Sequence, residues 1–264
     1  MPDLFHFGAG QRELLGIRHA PTGDAQGAVL LCAPLLQEGI RCQRALWSLS
    51  ESLSAAGTDV LRFDWSGSGD SAGDTDATDV DTLVGDVGAA MSMLQSLSAV
   101  RMPRMVGLRS AALPLLAAAA AGDAAADVVL WAPVLDGRAL VAGWREQHRR
   151  QLNDAGRFLR PGTRSDDDEL LGFVVAPRLL DQLESMHGNH LPLPPGSRLL
   201  VADWAPSDAL ADFVQAQRAF GVSVDVLELD AGDVPPWDDA RHFDTQLFPR
   251  RSVQRLSGRL AEAA

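Results

Sequence analysis

Two residue types are missing from this 264-residue sequence, lysine and tyrosine. All 23 basic residues are therefore arginine, which excludes a lysine Schiff base and a tyrosine general acid as catalytic devices. Isoleucine and asparagine are scarce, whereas alanine, glycine, arginine and aspartate are abundant. This composition is typical of codon bias in a GC-rich bacterial genome and carries no functional signal.

Positive charge is in short supply. The 23 arginines face 35 acidic residues, and the formal net charge is −12. A protein of this balance has no basic surface from which a polyanion could release counterions. We therefore expect no nucleic-acid partner.

Cysteines and long hydrophobic segments are equally scarce. Cys32 and Cys42 are the only cysteines, and their contexts predict buried, reduced thiols. No Cys or His spacing indicates a metal site, and we expect no metal and no cofactor. The first residues lack the basic and apolar regions of a signal peptide, and the longest apolar run, "AALPLLAAAAAG", is too short to span a bilayer. These features predict a cytoplasmic protein without a membrane span.

Strand and helix patterns alternate along most of the chain. Continuous apolar runs such as "GAVLLCAP" and "ADVVLWAP" are typical of strands buried on both faces, and helical spacing of apolar residues follows them. This alternation predicts an α/β fold with a mostly parallel, doubly wound sheet. We expect one domain over residues 1–264, with a small helical cap inserted at about 137–195, between strands six and seven.

The stretch "VGLRSAALPLL", from Val106 to Leu116, predicts a strand that ends in a sharp turn and passes into a helix. In many hydrolases such a corner reads Gly-x-Ser-x-Gly, and its Ser is the nucleophile. Here Arg109 stands at the Ser position, and Ser110 follows one residue later. A guanidinium stays protonated in proteins, so Arg109 is neither a nucleophile nor a base.

Three further segments are "VLRFDWSGSGDSAGD", "LLCAPLLQEGIRCQRAL" and "LWAPVLDGR". With the corner, they resemble the α/β-hydrolase superfamily, and in particular serine-aminopeptidase-like and exosortase-system-associated hydrolases. The resemblance covers nearly the whole chain apart from the cap. It implies the α/β-hydrolase fold, and an oxyanion hole built from backbone N–H groups near Leu35 and Ser110.

The substitution at the corner leaves three hypotheses open. In the first, Ser110 is the nucleophile through a one-residue shift, which would aim its hydroxyl away from the usual point of attack. In the second, Arg109 binds an anion beside backbone N–H groups that already favour negative charge. In the third, Arg109 closes the pocket by pairing with an internal acid such as Glu38.

The remaining triad roles are assigned by chain order, nucleophile then acid then histidine. Asp208 is the predicted acid and Asp203 the alternative; Asp208 equally suits the first turn of a helix, where the dipole favours an acid. His242 is the predicted base, and its alternative is a surface histidine in an acidic loop.

The leading functional hypothesis is a hydrolase of an ester or amide bond in a small or lipid-like substrate. Ser110 would be the nucleophile, His242 the general base and Asp208 its orienting acid. The alternative is an inactive relative that binds an anionic ligand or a partner through Arg109, with Glu38 and Leu35 at the same site. An accessory role in a surface-polysaccharide or lipid pathway is a third hypothesis. The expected partner is a small molecule, and a homodimer is left open.

Overall fold

The computed structural model describes residues 2–154, 169–205, 207–237, 242 and 245–262. Eight strands form a single sheet in the order β1-β2-β4-β3-β5-β6-β7-β8. The strands are β1 (Asp3–Phe7), β2 (Leu14–His19), β3 (Gly27–Cys32), β4 (Thr58–Phe63), β5 (Arg104–Leu108), β6 (Asp127–Trp131), β7 (Arg198–Asp203) and β8 (Ser223–Glu228). β2 is antiparallel to both of its neighbours, and all other pairs are parallel. The predicted mostly parallel, doubly wound sheet is confirmed.

In the described part of the chain, seven α-helices cover the two faces of this sheet. They are α1 (Leu36–Ala55), α2 (Val80–Leu97), α3 (Ala112–Ala120), α4 (Gly137–Leu152), α5 (Pro177–Ser185), α6 (Asp208–Ala219) and α7 (Arg250–Ala261). Among the described residues, no helix is long and apolar enough to cross a bilayer.

The central strand β3 is apolar at every position because both of its faces are covered. Along β3, Val29 and Leu31 pack in the cluster that contains the apolar residues of α1 and α7, whereas Leu30 and Cys32 pack in the cluster formed with α2 to α6. Successive strand residues point to opposite faces, so a continuous apolar run fills two cores at once. This packing explains why the buried strands were visible in the sequence.

Three non-glycine residues with positive φ follow adjacent strands at the carboxyl edge of the sheet. Leu36, Arg109 and Ala132 come after β3, β5 and β6 and have φ of 53°, 53° and 47°. Each such residue costs of order 1–3 kcal/mol and persists only where the surroundings hold it. The strain of the fold is therefore concentrated where these three loops meet.

The region 137–195 contains α4 and α5, which pack against each other between β6 and β7 in the chain. Gly137 is packed tightly against the end of α5, since a Cβ at this position would overlap the Leu183 carbonyl. Residues 155–168 lie outside the described part of the chain, so the limits of a cap stay a prediction.

A buried basic cluster lies under α1 at the β2–β4 side of the sheet. His19 packs edge-on against Trp47 at a centroid distance of 4.9 Å, and the Arg62 guanidinium lies 5.4 Å from the same ring. Arg62 donates to Gln43 Oε1. Burial and the Arg62 charge lower the pKa of His19, and the Glu51 charge opposes them only in part.

The His19 environment predicts a pH-dependent stability. In the unfolded chain His19 has its ordinary pKa near 6.5, so on acidification the unfolded state binds a proton first. The contribution of His19 to the free energy of unfolding is fully present above about pH 7 and is lost as the pH falls through the lower pKa of the folded state. We expect denaturant titrations between pH 8 and pH 5 to show a smaller loss of stability for His19→Phe than for the wild type. Equal pH slopes for the two proteins would contradict this account.

Candidate functional site

The loop between β5 and α3 forms a tight corner whose apex is Arg109. β5 ends at Leu108, Arg109 begins a single 3-10 turn, and α3 starts at Ala112. The corner closes tightly because Gly107 has no side chain: a Cβ there would lie 3.0 Å from Leu115 Cδ1. The residue at the apex has φ of 53° and is an arginine.

The Arg109 guanidinium is held by an acid and an aromatic ring. Its Nη2 and Nε atoms donate to Glu38 Oε1 at 2.9 and 3.2 Å, and its Cζ lies 4.6 Å from the centre of the Trp237 ring. The Glu38 side chain, in the first turn of α1, is only 3% exposed, whereas the Arg109 side chain is 18% exposed. The cation is therefore the member of the pair that faces outward.

Ser110 is fully buried, and its hydroxyl bridges two elements of the site. Ser110 Oγ accepts the Leu35 backbone N–H at 2.9 Å and donates to Glu38 Oε2 at 3.2 Å. Both oxygens of Glu38 are thus occupied, one by Arg109 and one by Ser110. The Leu35 N–H likewise has an acceptor in the Ser110 hydroxyl.

The two candidate acids have different surroundings. Asp203, the last residue of β7, is half-buried, and its carboxylate accepts the backbone N–H groups of Trp204 and Ala205 at 2.6 and 3.4 Å. Burial raises the pKa of Asp203, although those hydrogen bonds and the Arg109 charge oppose the shift. Asp208 is exposed at the first position of α6, directly after the N-cap Ser207. The first turn of a helix favours an acid through its dipole.

His242 is exposed, in the segment between β8 and α7, and its backbone carbonyl accepts hydrogen bonds from Thr245. Residues 238–241 and 243–244 on either side lie outside the described residues. The segment is tied to α1, because Arg41 donates to the carbonyls of Trp237 and Pro236 and accepts the Leu247 N–H through its own carbonyl. These bonds place Trp237 beneath Arg109.

A cleft of about 320 Å³ opens above the Arg109–Glu38 pair. One face of α4 forms its opposite wall with residues at helical spacing, namely Ala139, Leu140, Gly143, Trp144, Glu146, Gln147 and Arg150. Of the described residues, two acids and two arginines line the cleft, and their formal charges cancel. At the outer end Glu146 Oε1 accepts from both Arg149 and Arg150 at 2.7 Å, and these two bonds lower the pKa of Glu146 to about 2.

The structure brings four predicted residues into contact, Leu35, Glu38, Arg109 and Ser110. The catalytic roles of Ser110, Asp208 and His242 stay predictions. Sequence reasoning missed the stacking of Trp237 on Arg109 and the α4 wall. The helical spacing of Ala139, Gly143 and Trp144, which places them on one face of α4, was the sequence signal available for that wall. Among the described residues, no group of His, Cys, Asp and Glu could hold a metal ion.

Comparison with known proteins shows the fold. No family model matches the sequence, and no curated protein matches it. Solved structures do match: Est1E from Butyrivibrio proteoclasticus with bound ferulic acid has a TM-score of 0.65 at 15% identity, over 98% of this chain and 97% of that one. A lidless serine hydrolase from Xanthomonas campestris has a TM-score of 0.54 at 15% identity, over 99% and 92%. Mouse alpha/beta hydrolase domain-containing protein 10 has a TM-score of 0.58 at 17% identity, over 99% and 98%. The chain has the α/β-hydrolase fold, as predicted.

The Arg109–Glu38 pair predicts a strong energetic coupling. Arg109→Leu leaves the Glu38 carboxylate buried without its cation, which costs about 3–5 kcal/mol of unfolding free energy. Adding Glu38→Gln removes that charge, so we expect the double variant to be more stable than Arg109→Leu alone. Urea titrations of the wild type, the two single variants and the double variant measure the coupling energy between the two side chains.

The Arg145–Glu184 pair between α4 and α5 is the matched control. It has a distance of 2.6 Å, but its side chains are 56% and 31% exposed, and exposed pairs contribute little. Equal coupling energies for the two pairs would contradict the expectation that burial strengthens the Arg109–Glu38 interaction.

Proposed function

We propose that this chain is a non-hydrolytic protein of the α/β-hydrolase fold that binds a small carboxylate in the cleft above Arg109. In this proposal the β5–α3 corner is a degenerate nucleophile elbow. The observation that carries the proposal is Arg109 at the strained apex, paired to buried Glu38 and partly exposed to the cleft.

The absence of hydrolysis follows from the groups at the corner. A permanently protonated guanidinium occupies the apex, and it cannot attack a carbonyl. Ser110 is fully buried, and its hydroxyl bonds the Leu35 N–H that would otherwise stabilise an oxyanion. Oxyanion donors contribute about 3–4 kcal/mol to a reaction of this type, so their occupation by a side chain is a large loss.

The choice of a carboxylate follows from the charges around the cleft. Arg109 is the more exposed member of its pair, and a guanidinium fork matches a carboxylate in shape. Among the described residues that line the cleft, Glu38 and Glu146 balance its two arginines, so the cleft has no excess positive charge to offset a second negative charge. A monoanion with a small apolar body, lying against Leu140 and Trp144, fits this lining better than a phosphate dianion.

The second candidate function is hydrolysis of an ester or amide bond in a small or lipid-like substrate. The fold shared with esterases and serine hydrolases supports it, with Ser110 as nucleophile, His242 as base and Asp208 as orienting acid. Ser110 Oγ would first have to leave both the Leu35 N–H and Glu38. Turnover of p-nitrophenyl esters that Ser110→Ala abolishes would favour this candidate over binding.

The proposal also covers the protein's relatives and its cellular compartment. The quoted segments support kinship with serine-aminopeptidase-like and exosortase-system-associated hydrolases of bacteria, and the composition supports a cytoplasmic protein. A small molecule is the proposed partner in either function.

Binding of pentanoate tests the proposal. The sequence has no tyrosine, so its six tryptophans dominate the intrinsic fluorescence of the protein. One of them, Trp237, stacks directly on Arg109. We expect pentanoate to change tryptophan fluorescence with a Kd of about 1 mM, which corresponds to roughly −4 kcal/mol. Inorganic phosphate at the same ionic strength is expected to leave this cleft-dependent signal unchanged.

Two glycine variants locate the binding site without touching Arg109. A Cβ at Gly143 meets nothing within 4 Å, and Gly143 lines the cleft, so Gly143→Leu should fill the cleft and abolish pentanoate binding. Gly88 on α2 has equally open surroundings, so Gly88→Leu is the matched control and should bind as the wild type does. Unchanged binding in Gly143→Leu, or no response of the wild type, would overturn the proposal.

A further inference from the structure

A row of polar side chains crosses the amino edge of the sheet, opposite the corner at Arg109. Arg104, Asp127, Arg198 and Ser223 are the first residues of β5, β6, β7 and β8. Each is the direct cross-strand partner of the next in the register of the sheet. Directly opposed residues project from the same face, so the four side chains stand side by side.

Positive charge exceeds negative charge in this row. Asp127 is 5% exposed, and its Oδ2 accepts from Arg198 Nη2 at 2.6 Å and from Arg104 Nη2 at 3.1 Å. One carboxylate thus accepts hydrogen bonds from two guanidiniums of the row. Arg104 Nη1 also donates to the Leu260 carbonyl of α7, which holds this buried arginine in place.

A cavity of about 130 Å³ lies against the row. Arg259 of α7 lines it as well and pairs with Asp225 at 2.8 Å. Among the described residues that line the cavity, three arginines accompany two aspartates, an excess of one formal positive charge in a protein whose net charge is −12. The Ser223 residue at the end of the row lines the same cavity and adds a hydroxyl donor.

We infer that this cavity is a binding site for a small tetrahedral oxyanion, a phosphate group. Guanidiniums that converge from a strand edge and a helix suit a ligand with acceptor oxygens on several sides, whereas a flat carboxylate engages one fork. Both aspartates already have arginine partners, so their repulsion of an incoming anion is reduced. The inference does not depend on the carboxylate cleft, because the two sites lie at opposite edges of the sheet.

The test compares sodium phosphate with sodium chloride at equal ionic strength, because screening alone changes stability. For a Kd of about 1 mM, 10 mM phosphate is expected to raise the Tm by about 3 °C relative to chloride. Arg198→Gln and Arg259→Gln should each weaken phosphate binding at least fivefold in calorimetry. Both arginines are partly exposed, with side-chain exposures of 53% and 36%, so these variants leave the core intact.

Arg145→Gln on α4 removes an exposed arginine elsewhere and should bind phosphate as the wild type does. Equal shifts in phosphate and chloride would overturn the inference, as would unchanged affinity in both Arg198→Gln and Arg259→Gln. Phosphate binding that Gly143→Leu abolishes would place the anion in the other cleft and would also overturn it.

Phenyl phosphate distinguishes the two sources of the phosphate group. Affinity equal to or above that of inorganic phosphate supports the site and assigns it to a phosphate monoester. Weaker affinity of phenyl phosphate supports the site and assigns it to the free ion.

Discussion

The contact between Arg109 and Glu38 determines what the carboxyl edge of this sheet can do. The pair joins the loop after β5 to the first turn of α1, and its second carboxylate oxygen fixes the Ser110 hydroxyl. Through Ser110 the same network reaches the Leu35 N–H. One ion pair therefore sets the positions of the apex cation, the neighbouring hydroxyl and the backbone donor.

The strained backbone is explained by the same network. Arg109 and Leu36 adopt left-handed φ values that cost energy, and both flank the hydrogen bonds of Glu38 and Ser110. The Trp237 ring closes the site from below, because Arg41 holds its loop against α1. The opposite edge of the sheet is built differently, from strand-terminal arginines that share one buried aspartate. Buried ion pairs therefore lie at both the carboxyl edge and the amino edge of the sheet.

The sequence predicted those parts of the structure that depend on local pattern. Runs such as Gly27–Cys32 identify buried strands because both faces are apolar, and Gly107 marks the tight corner. No side chain caps α1 at its start, Leu36, so the local sequence carries no signal for the beginning of this helix. The Arg109–Glu38 pair was one of three hypotheses. It could be proposed because the two residues follow β3 and β5, and the loops after neighbouring parallel strands meet at one edge of the sheet. The Trp237 contact and the Leu35–Ser110 bond depend on tertiary orientation, for which the local sequence carries no signal.

The central claim is that a cationic apex has replaced a reactive hydroxyl. Intact-protein mass after incubation with a fluorophosphonate at pH 7.5, beside an active serine esterase, tests it most directly. The account predicts no mass increase for the wild type, as for Ser110→Ala, while the esterase is labelled. A single phosphonyl adduct on the wild type that is missing from Ser110→Ala would contradict it, because Ser110 would then be an exposed and activated nucleophile.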